Sequence, residues 1–408
     1  MKELAIIMIV LGLLTFGYRL VYMAVRITGK QRPTAEGSPH RYAVMIAARN
    51  EEKVIGNLID SLKKQDYPDE PVDIYVVADN CTDSTARVAK AHGARVFTRH
   101  DTAHATKGYA LEYLYNRLRQ ESADYDGYFI FDADNIVDRR YISEMNKVFS
   151  GGADIVVGYR NTKNFGESWV SACSGMYYLY ESEFANRPRD LLGISCFLSG
   201  TGCLFSREYL ERSGGWSWTG LTEDLECTLN AVSQGEKIAY CHDAVTYDEQ
   251  PCRMSVSVTQ RIRWIRGYLE AVFANRQRMV SALFRRGGFA VYDFMMNFAP
   301  FIGTLLCIAL EVVKVYLLRA AGASPAQTAV TVLVDAAALY MGLYAMGAVT
   351  LIVERNRIRC SGGKLLLYSF TFPLFMLSYL PVCVMAIVRR PQWTHIAHNA
   401  VQSIEELS

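Results

Sequence analysis

The sequence predicts an α/β domain that is built on a parallel sheet and attached to apolar segments long enough to span a membrane. Short apolar runs alternate with helical segments between residues 42 and 134, and this alternation is typical of a parallel sheet with helices on both faces. Apolar runs of about 20 residues, the length that crosses a bilayer, lie at both ends of the chain. Acidic residues follow three of the predicted strands, at the edge where such sheets bind ligands.

Composition narrows the class of protein. The chain has 408 residues, of which 51% are hydrophobic, and its formal net charge is +2. It has no lysine-rich arm or strongly basic domain, so we expect no nucleic-acid partner. The ten cysteines are scattered without a C-x-x-C pair, which indicates free thiols in a cytosolic domain rather than metal ligands.

The first apolar run covers residues 5–25 and is interrupted by Arg19. It is longer than the apolar core of a signal peptide and no small-residue cleavage site follows it, so we expect a retained transmembrane anchor. Three further apolar runs cover residues 294–318, 328–353 and 365–388. The short loop between the first two of these predicts a helical hairpin, and Pro373 and Pro381 break the last run.

Basic residues beside the apolar runs predict the orientation of the chain. These residues are Arg26, Lys30, Arg32, Arg41, Arg285, Arg286, Arg355, Arg357, Arg359 and Lys364. Because positively charged loops remain in the cytoplasm, we expect a multi-pass protein of the cell membrane with a cytoplasmic central domain and an outside N-terminus. A single pass of the last run would place Arg389 and Arg390 outside, whereas a re-entrant segment would keep them inside, and the sequence leaves both open.

The central domain begins with four predicted strands that alternate with three helices. The strands are "YAVMIAA", "DIYVVAD", "ARVFT" and "GYFIFDAD", and the helices between them cover residues 51–65, 83–92 and 107–120. The strands are near-continuous apolar runs, as expected where a sheet is covered on both faces. The helices are amphipathic, so each can bury one face against the sheet.

Acidic residues follow the first, second and fourth strands, in "ARNEE", "VADNCTD" and "FDADN". A single Asp or Asn at such a place is explained by helix capping or a turn. Asp132 and Asp134 are more specific, because a D-x-D after an apolar strand can direct carboxylates at a hard divalent cation on a diphosphate. The chain has no glycine-rich phosphate loop. Cationic side chains would therefore have to help the metal bind a nucleotide, and Lys107 at the start of a helix is available.

Two later segments add candidate site residues. "SGTG" at residues 199–202 predicts a tight turn, and "LTEDLECTLNAV" begins a helix. Thr222 and the acids after it are typical of a helix N-terminus, but Asp224 is also placed to act as a general base. The segment "SVTQRIRWIRGYLEAVF" predicts a basic amphipathic helix on a membrane surface, which does not account for Gln260 or for Trp264 among arginines.

Three motifs occur in order along the chain: "DAD" at 132–134, "TED" at 222–224 and "QRIRW" at 260–264. They resemble the D-x-D, T/E-D and Q-x-x-R-W motifs of membrane-embedded, processive family-two glycosyltransferases. This group includes cellulose, hyaluronan, chitin and poly-N-acetylglucosamine synthases. The resemblance implies a GT-A fold (Rossmann-like) and covers nearly the whole chain. The implied domains are an anchor (1–27), the GT-A domain (40–255), interface helices (256–290), a transmembrane bundle (291–390) and a tail (391–408). The tail sequence "WTHIAH", with Trp393 and His398, is similar to a motif of some bacterial members, but a lone tail histidine is more often structural and His398 is left outside the expected site.

The resemblance also implies roles for the matching residues. Asp224 corresponds to the catalytic base and Asp134 to the ligand of Mg²⁺ or Mn²⁺. The residues that would bind the nucleotide and sugar are Asp79, Lys107, Asp132, Gln260, Arg261, Arg263 and Trp264. Asp79 would contact uridine, and Trp264 would support the acceptor sugar.

The implied reaction is inverting sugar transfer from a nucleotide sugar, expected to be UDP-linked, to a growing polysaccharide that is passed between the spans. The expected partners are the donor, a polysaccharide or lipid-linked acceptor, and membrane lipids; the oligomeric state is left open. One alternative is a non-processive transferase that adds one sugar to a lipid carrier. A second is a transporter or nucleotide-sugar sensor without chemistry, which the few spans and the intact candidate base disfavour.

Overall fold

The computed structural model describes residues 2–30, 37–67, 72–121, 124–285, 287–297, 299–389, 391, 398 and 400–407. Arg32, Arg286, Arg390 and Trp393 lie outside this range, as do residues 392–397, 399 and 408 of the expected tail.

An eight-stranded sheet forms the centre of the described domain, in the order β3-β2-β1-β4-β7-β6-β8-β5. The strands are β1 (Tyr42–Ala48), β2 (Val72–Asp79), β3 (Arg95–Arg99), β4 (Gly127–Asp132), β5 (Ile136–Val137), β6 (Ile155–Thr162), β7 (Cys203–Ser206) and β8 (Ile238–Asp248). The first four strands are parallel, as predicted. However, β7 is antiparallel to both of its neighbours and β5 is antiparallel to β8, so the whole sheet is mixed.

Helices cover both faces of the sheet. The helices of the domain are α3 (Ile55–Lys63), α4 (Thr85–Ala91), α5 (Lys107–Gln120), α6 (Tyr141–Ser150), α7 (Trp169–Glu181), α8 (Arg187–Leu191), α9 (Arg207–Arg212) and α10 (Glu223–Gln234). Alternate residues of β1 point to opposite faces. Met45 therefore packs with Leu111 of α5, and Ile46 packs in a separate cluster with Leu58 of α3. This two-sided burial explains the near-continuous apolar character of the strands.

The helices outside the domain include the apolar segments. They are α1 (Lys2–Gly12), α2 (Tyr18–Thr28), α11 (Met254–Leu283), α12 (Gly288–Met296), α13 (Ala299–Ala320), α14 (Pro325–Val353), α15 (Gly362–Leu377), α16 (Tyr379–Val388) and α17 (Ile404–Leu407), with a π-helical turn between α1 and α2. Within the described residues, three segments are long and apolar enough to cross a membrane: Ile6–Thr28, Pro325–Val353 and Gly362–Val388.

Two of the predicted spans differ from the structure. The run predicted to start at residue 294 is divided between α12 and α13. Among the described residues α13 is not one of the three candidate spans, and it contains the charged residues Glu311 and Lys314. Lys314 forms an ion pair with Asp335 of α14, so the predicted pairing of these two helices is present. In the last run the helix continues through Pro373, and the change of helix occurs instead at Ser378.

Buried ion pairs fasten α2 to the domain. The guanidinium of Arg189 donates to Asp293 (Nε to Oδ2, 2.7 Å), and the Tyr22 hydroxyl donates to the same carboxylate at 2.6 Å. Arg26 pairs with the buried carboxylate of Glu183, which lies in a π-helical turn at Ser182–Asn186. The domain, α2 and α12 are therefore fixed to one another beside the cleft.

Candidate active site

An open cleft with a volume of about 250 Å³ lies at the carboxyl ends of the central strands. The predicted site residues that line it are Asp79, Lys107, Asp132, Asp134, Asp224, Gln260, Arg263 and Trp264. They come from the end of β2, the end of β4 and the turn after it, the first turns of α5 and α10, and one face of α11. Because the carboxyl ends of parallel strands share one edge, the strand-end acids are brought together there.

Lys107 connects the acids at the floor of the cleft. Its ammonium lies 2.5 Å from Asp132 Oδ1 and 3.1 Å from Glu223 Oε1, and it donates to the carbonyl oxygen of Gly200 at 2.5 Å. Both carboxylates raise the pKa of Lys107 and outweigh the effect of its burial. Lys107 is therefore a fixed positive charge, and the N-terminus of α5 adds the positive end of a helix dipole.

Asp224 stands at the start of α10, beside this charge cluster. Burial, and then the adjacent Glu223 carboxylate, raise its pKa to about 7, although Lys107 acts in the opposite direction. A carboxylate with a pKa near neutrality is suited to accept a proton. The capping interpretation of this motif is not supported: Thr222 is the N-cap residue but its side chain makes no capping hydrogen bond.

The turn beside Asp224 requires glycine. Gly200 has a φ of +86°, which is in the region that favours glycine. A Cβ atom at this position would lie 3.6 Å from Asp224 Oδ2 and 3.9 Å from Asp132 Oδ2. The two carboxylates thus approach the same open side of the "SGTG" segment, which was predicted from the sequence to be a tight turn.

Asp79 is buried at the end of β2 and is held by two arginines. Its Oδ1 atom accepts a hydrogen bond from Arg99 at 2.6 Å, and its Oδ2 atom accepts one from Arg49. The Arg49 Nε also donates to the Asp79 carbonyl oxygen at 3.0 Å. The Asp79 carboxylate is therefore positioned before any ligand binds, and Arg49 lies at the cleft wall with it.

The groups around Asp134 keep its carboxylate ionised. Its Oδ2 atom accepts from the backbone N–H of Glu249 at 3.0 Å and is 4.0 Å from His398 Nε2. Burial would raise the pKa of Asp134, but His398, Lys163 and that backbone N–H together lower it. Glu51 accepts a hydrogen bond from His398 Nδ1 at 3.0 Å, and the two acids raise the pKa of His398 to about 10.

A divalent cation fits this surrounding. A place that stabilises a charged imidazole between carboxylates also suits Mg²⁺ or Mn²⁺, which prefer oxygen ligands. Among the described residues no group of three or more His, Cys, Asp or Glu side chains is arranged to hold a metal alone. Asp134 is the residue that would contact the ion, and donor oxygens would complete its coordination.

The "QRIRW" residues divide between two faces of α11. Gln260, Arg263 and Trp264 line the cleft, because positions i, i+3 and i+4 share one face of a helix. The Trp264 ring stands edge-on to Tyr178, with 6.4 Å between the ring centroids. In the part of the chain that the structure describes, Arg263 has no ion-pair partner, which leaves its guanidinium available to a ligand.

Arg261 departs from its expected role. It does not line the cleft, because one residue along a helix is a rotation of about 100°. Its guanidinium is 1% exposed and lies between the rings of Phe375 and Tyr379, at 4.5 and 4.4 Å. It also donates to Ser378 Oγ at 2.9 Å. Arg261 thus joins α11 to the junction of α15 and α16 rather than to the donor.

Several residues of the cleft were not predicted from the sequence. Arg160 of β6 donates to Asp248 of β8 (Nε to Oδ2, 2.6 Å) and lies 3.7 Å from the centroid of the Tyr178 ring. The other carboxylate oxygen of Asp248 is buried without a hydrogen-bond partner in the described structure. His398, which was left outside the expected site, lines the cleft. The polar residue at each strand end was the available signal for Asp248, and the resemblance of "WTHIAH" to a tail motif was the available signal for His398.

The comparison with known proteins decides the family. The model described as "Glycosyltransferase like family 2" matches residues 39–267, more than half of the chain. The chain belongs to glycosyltransferase-like family 2. As a member of this family, the protein is an enzyme that transfers sugar from a nucleotide sugar. The family match does not favour the transporter or the sensor.

Curated relatives of this glycosyltransferase differ in their acceptors. A probable glycosyltransferase YdaM of Bacillus subtilis is 26% identical over 316 residues, covering 74% of this chain and 72% of the relative. A beta-monoglucosyldiacylglycerol synthase of Synechocystis is 26% identical over 55% of this chain and 47% of the relative. The cellulose synthase 1 catalytic subunit of Komagataeibacter xylinus is 24% identical over 53% of this chain and 29% of the relative.

One solved structure is similar over almost the entire glycosyltransferase chain. The mannosyltransferase PcManGT from Pyrobaculum calidifontis, in complex with GDP-Man and Mn²⁺, superposes with a TM-score of 0.63. The alignment covers 94% of this chain and 99% of that chain at 18% sequence identity. At this identity the likeness establishes the GT-A fold of the chain.

Proposed function

We propose that this glycosyltransferase moves one sugar from a nucleotide sugar to the hydroxyl group of a membrane lipid, with inversion at the anomeric carbon. The observation that supports this acceptor is a second cavity, of about 100 Å³, that borders the cleft. Tyr177 and Asn297 line both spaces. The remaining wall is mostly apolar and comes from the candidate spans, α13 and, through Tyr180, α7: Phe16, Arg19, Tyr180, Thr304, Leu339, Leu343, Met346, Met376, Leu377 and Leu380.

An apolar cavity beside a charged cleft suits an amphipathic acceptor. The hydrocarbon part of a lipid can lie against leucine and methionine side chains, while its hydroxyl group reaches the carboxylates of the cleft. A polysaccharide in transit would instead need hydrogen-bonding partners along its path. The relatives named as beta-monoglucosyldiacylglycerol synthases support a lipid acceptor as well.

The residues of the cleft would divide the reaction between them. Asp224 accepts the acceptor's hydroxyl proton as that oxygen bonds to the anomeric carbon, and the bond from this carbon to the diphosphate oxygen breaks. Lys107 and Arg263 stabilise the negative charge of the departing nucleoside diphosphate. A divalent cation bound at Asp134 would supply further charge neutralisation for the diphosphate. Because the acceptor oxygen itself attacks the anomeric carbon, the displacement is direct and inverts the anomeric configuration.

A membrane location follows from the same proposal. The three candidate spans, Ile6–Thr28, Pro325–Val353 and Gly362–Val388, would anchor the protein as a multi-pass protein of the cell membrane. The basic residues Arg26 and Arg357 contact the domain near Glu183 and His242. The positive loops and the catalytic domain would then share the cytoplasmic side, with α13 and α14 together forming a hairpin that enters the membrane and returns.

A processive polysaccharide synthase is the second candidate, because Gln260 and Trp264 line the cleft and "QRIRW" resembles the motif of such enzymes. Purified enzyme in lipid vesicles, incubated with a panel of nucleotide sugars and Mg²⁺ or Mn²⁺, separates the two. Organic extraction and mass spectrometry should find lipid with a single added sugar. A water-soluble polymer without a sugar-bearing lipid would overturn the lipid proposal in favour of the second candidate.

A further inference from the structure

Among the residues that the structure describes, Arg19 is the one cationic side chain that lines the apolar cavity beside the cleft. Its Nε and Nη2 atoms are buried and make no hydrogen bond to any described part of the chain. The aromatic ring of Tyr18 lies 5.7 Å from its guanidinium carbon. A buried guanidinium with two unpartnered donors is costly, and more so inside a membrane, where a charged residue indicates a functional site.

The depth of Arg19 excludes a simple surface position. It lies within the candidate span Ile6–Thr28, nine residues before its end, and nine residues of helix correspond to about 13 Å. Arg26 in the same helix reaches Glu183 of the domain. Arg19 has no such acid: no ion pair within 4.0 Å joins it to any acidic residue in the described part of the chain.

The last turn of α7 connects Arg19 to the reaction centre. Tyr177 lines both the cleft and the cavity, Tyr180 lines the cavity, and Glu181 lines the cleft. Burial raises the pKa of Glu181, and the charges of Arg189 and Arg19 partly counter this effect. A π-helical turn follows directly at Ser182–Asn186, and such turns are frequent at functional sites. A ligand that extends from the cavity to Asp224 would therefore pass between the guanidinium of Arg19 and the carboxyl group of Glu181.

We propose that Arg19 binds an anionic oxygen group, a phosphate or a carboxylate, of the acceptor lipid and thereby selects acidic lipids over neutral ones. This inference rests on the proposed lipid acceptor and narrows its chemical class. The guanidinium offers several donors in a planar fork, which matches the paired oxygens of either group. The apolar wall takes the hydrocarbon chain, Arg19 holds the charged group, and the lipid hydroxyl lies towards Asp224.

The test uses the full-length enzyme in neutral phosphatidylcholine vesicles that contain the same mole fraction of one hydroxyl-bearing lipid. The probes are phosphatidylglycerol, which has a phosphate, a hydroxy fatty acid, which has a carboxylate, and diacylglycerol, which has no charge. We expect wild-type enzyme to prefer at least one acidic probe, and the better of the two identifies the anion. Arg19→Gln should lower kcat/KM for that probe about 10- to 100-fold, which corresponds to the loss of one hydrogen bond to a charged group. The kcat/KM for diacylglycerol should stay unchanged.

The controls separate binding from folding. Arg319→Gln removes an exposed cation near the end of α13 and should retain the preference, whereas Arg19→Lys keeps the charge and should retain part of it. Nucleotide binding by Arg19→Gln reports an intact cleft. Wild-type preference for diacylglycerol, or equal use of all probes, overturns the inference even if no variant folds, and so does an unchanged preference in Arg19→Gln. Polymer formation without any sugar-bearing lipid would instead overturn the lipid proposal itself.

Discussion

Asp224→Asn replaces the candidate base with a group of the same shape that cannot accept the proton. Loss of a positioned general base lowers turnover by about 10²–10⁴-fold, and we expect kcat to fall by this factor. The affinity for nucleoside diphosphate should change little, because Lys107 and Arg263 lie in the cleft independently of Asp224. Turnover is measured as nucleoside diphosphate release, and binding by calorimetry.

The raised pKa of Asp224 gives the same substitution a second, opposite effect on stability. Burial and Glu223 raise the pKa from 3.8 to about 7, and each pH unit of displacement corresponds to about 1.36 kcal/mol. In the folded protein the ionised carboxylate is therefore disfavoured, so stability falls as the pH rises from about 4 to about 7 and stays lower above it. Asp224→Asn removes a penalty of up to about 4 kcal/mol at pH 8 and should raise the melting temperature there, but not near pH 4.

The pH profile of the wild-type enzyme checks the assignment independently. A base must be deprotonated to act, so kcat should rise about tenfold per pH unit below pH 7 and become constant above it. A variant that is slower but more stable is expected where a residue serves the reaction at a cost in stability. Near-normal turnover in Asp224→Asn, or a melting temperature lowered at pH 8, would refute the assignment of Asp224 as the buried base.

Three further predictions concern the other site residues. Asp134→Asn should abolish the Mg²⁺ or Mn²⁺ dependence of nucleotide binding, and a chelator should have the same effect on wild type; full binding in excess chelator would exclude the metal. Arg263→Met should weaken nucleoside diphosphate binding about 10- to 100-fold, whereas Arg261→Met should lower the melting temperature and leave that affinity unchanged; equal losses of affinity would contradict the division of α11 into two faces. Trp264→Leu should lose up to about tenfold in acceptor use, because an aromatic contact contributes roughly 0.5–1.5 kcal/mol beyond simple burial, while Trp264→Phe keeps part of it; equal activity of the two would leave Trp264 a membrane anchor.

Local sequence patterns predicted the first half of the domain well. The helix at Lys107–Gln120 has the predicted bounds, since Thr106 caps it and its buried face is regular. The helix predicted from residue 51 begins later, at Ile55, because Glu51 and its neighbours form a turn in which the Glu51 carbonyl oxygen accepts from Val54 and Ile55. The antiparallel strand β7 has only four residues, and its pairing depends on partners far along the chain, so no local pattern indicates it.

The site was predictable where it depends on strand ends and less so elsewhere. Parallel strands bring Asp79 and Asp132 to one edge whatever the loops do. The Arg160–Asp248 pair depends on the register of β6 and β8, which are far apart in sequence, and His398 reaches Asp134 from the tail. Arg261 is different, because the helical rotation that separates it from Gln260 and Arg263 was present in the sequence itself.

In the proposed reaction, the residues of the cleft transfer a single sugar to a lipid in the adjoining apolar cavity. The most direct measurement is the mass of the organic-phase product formed from an isotopically labelled nucleotide sugar, together with the molar amount of nucleoside diphosphate released. We expect a lipid that is heavier by one labelled sugar, in a one-to-one molar ratio to the nucleoside diphosphate released. The same product should be absent when the enzyme carries Asp224→Asn. Release of nucleoside diphosphate with all label in a water-soluble polymer would contradict it.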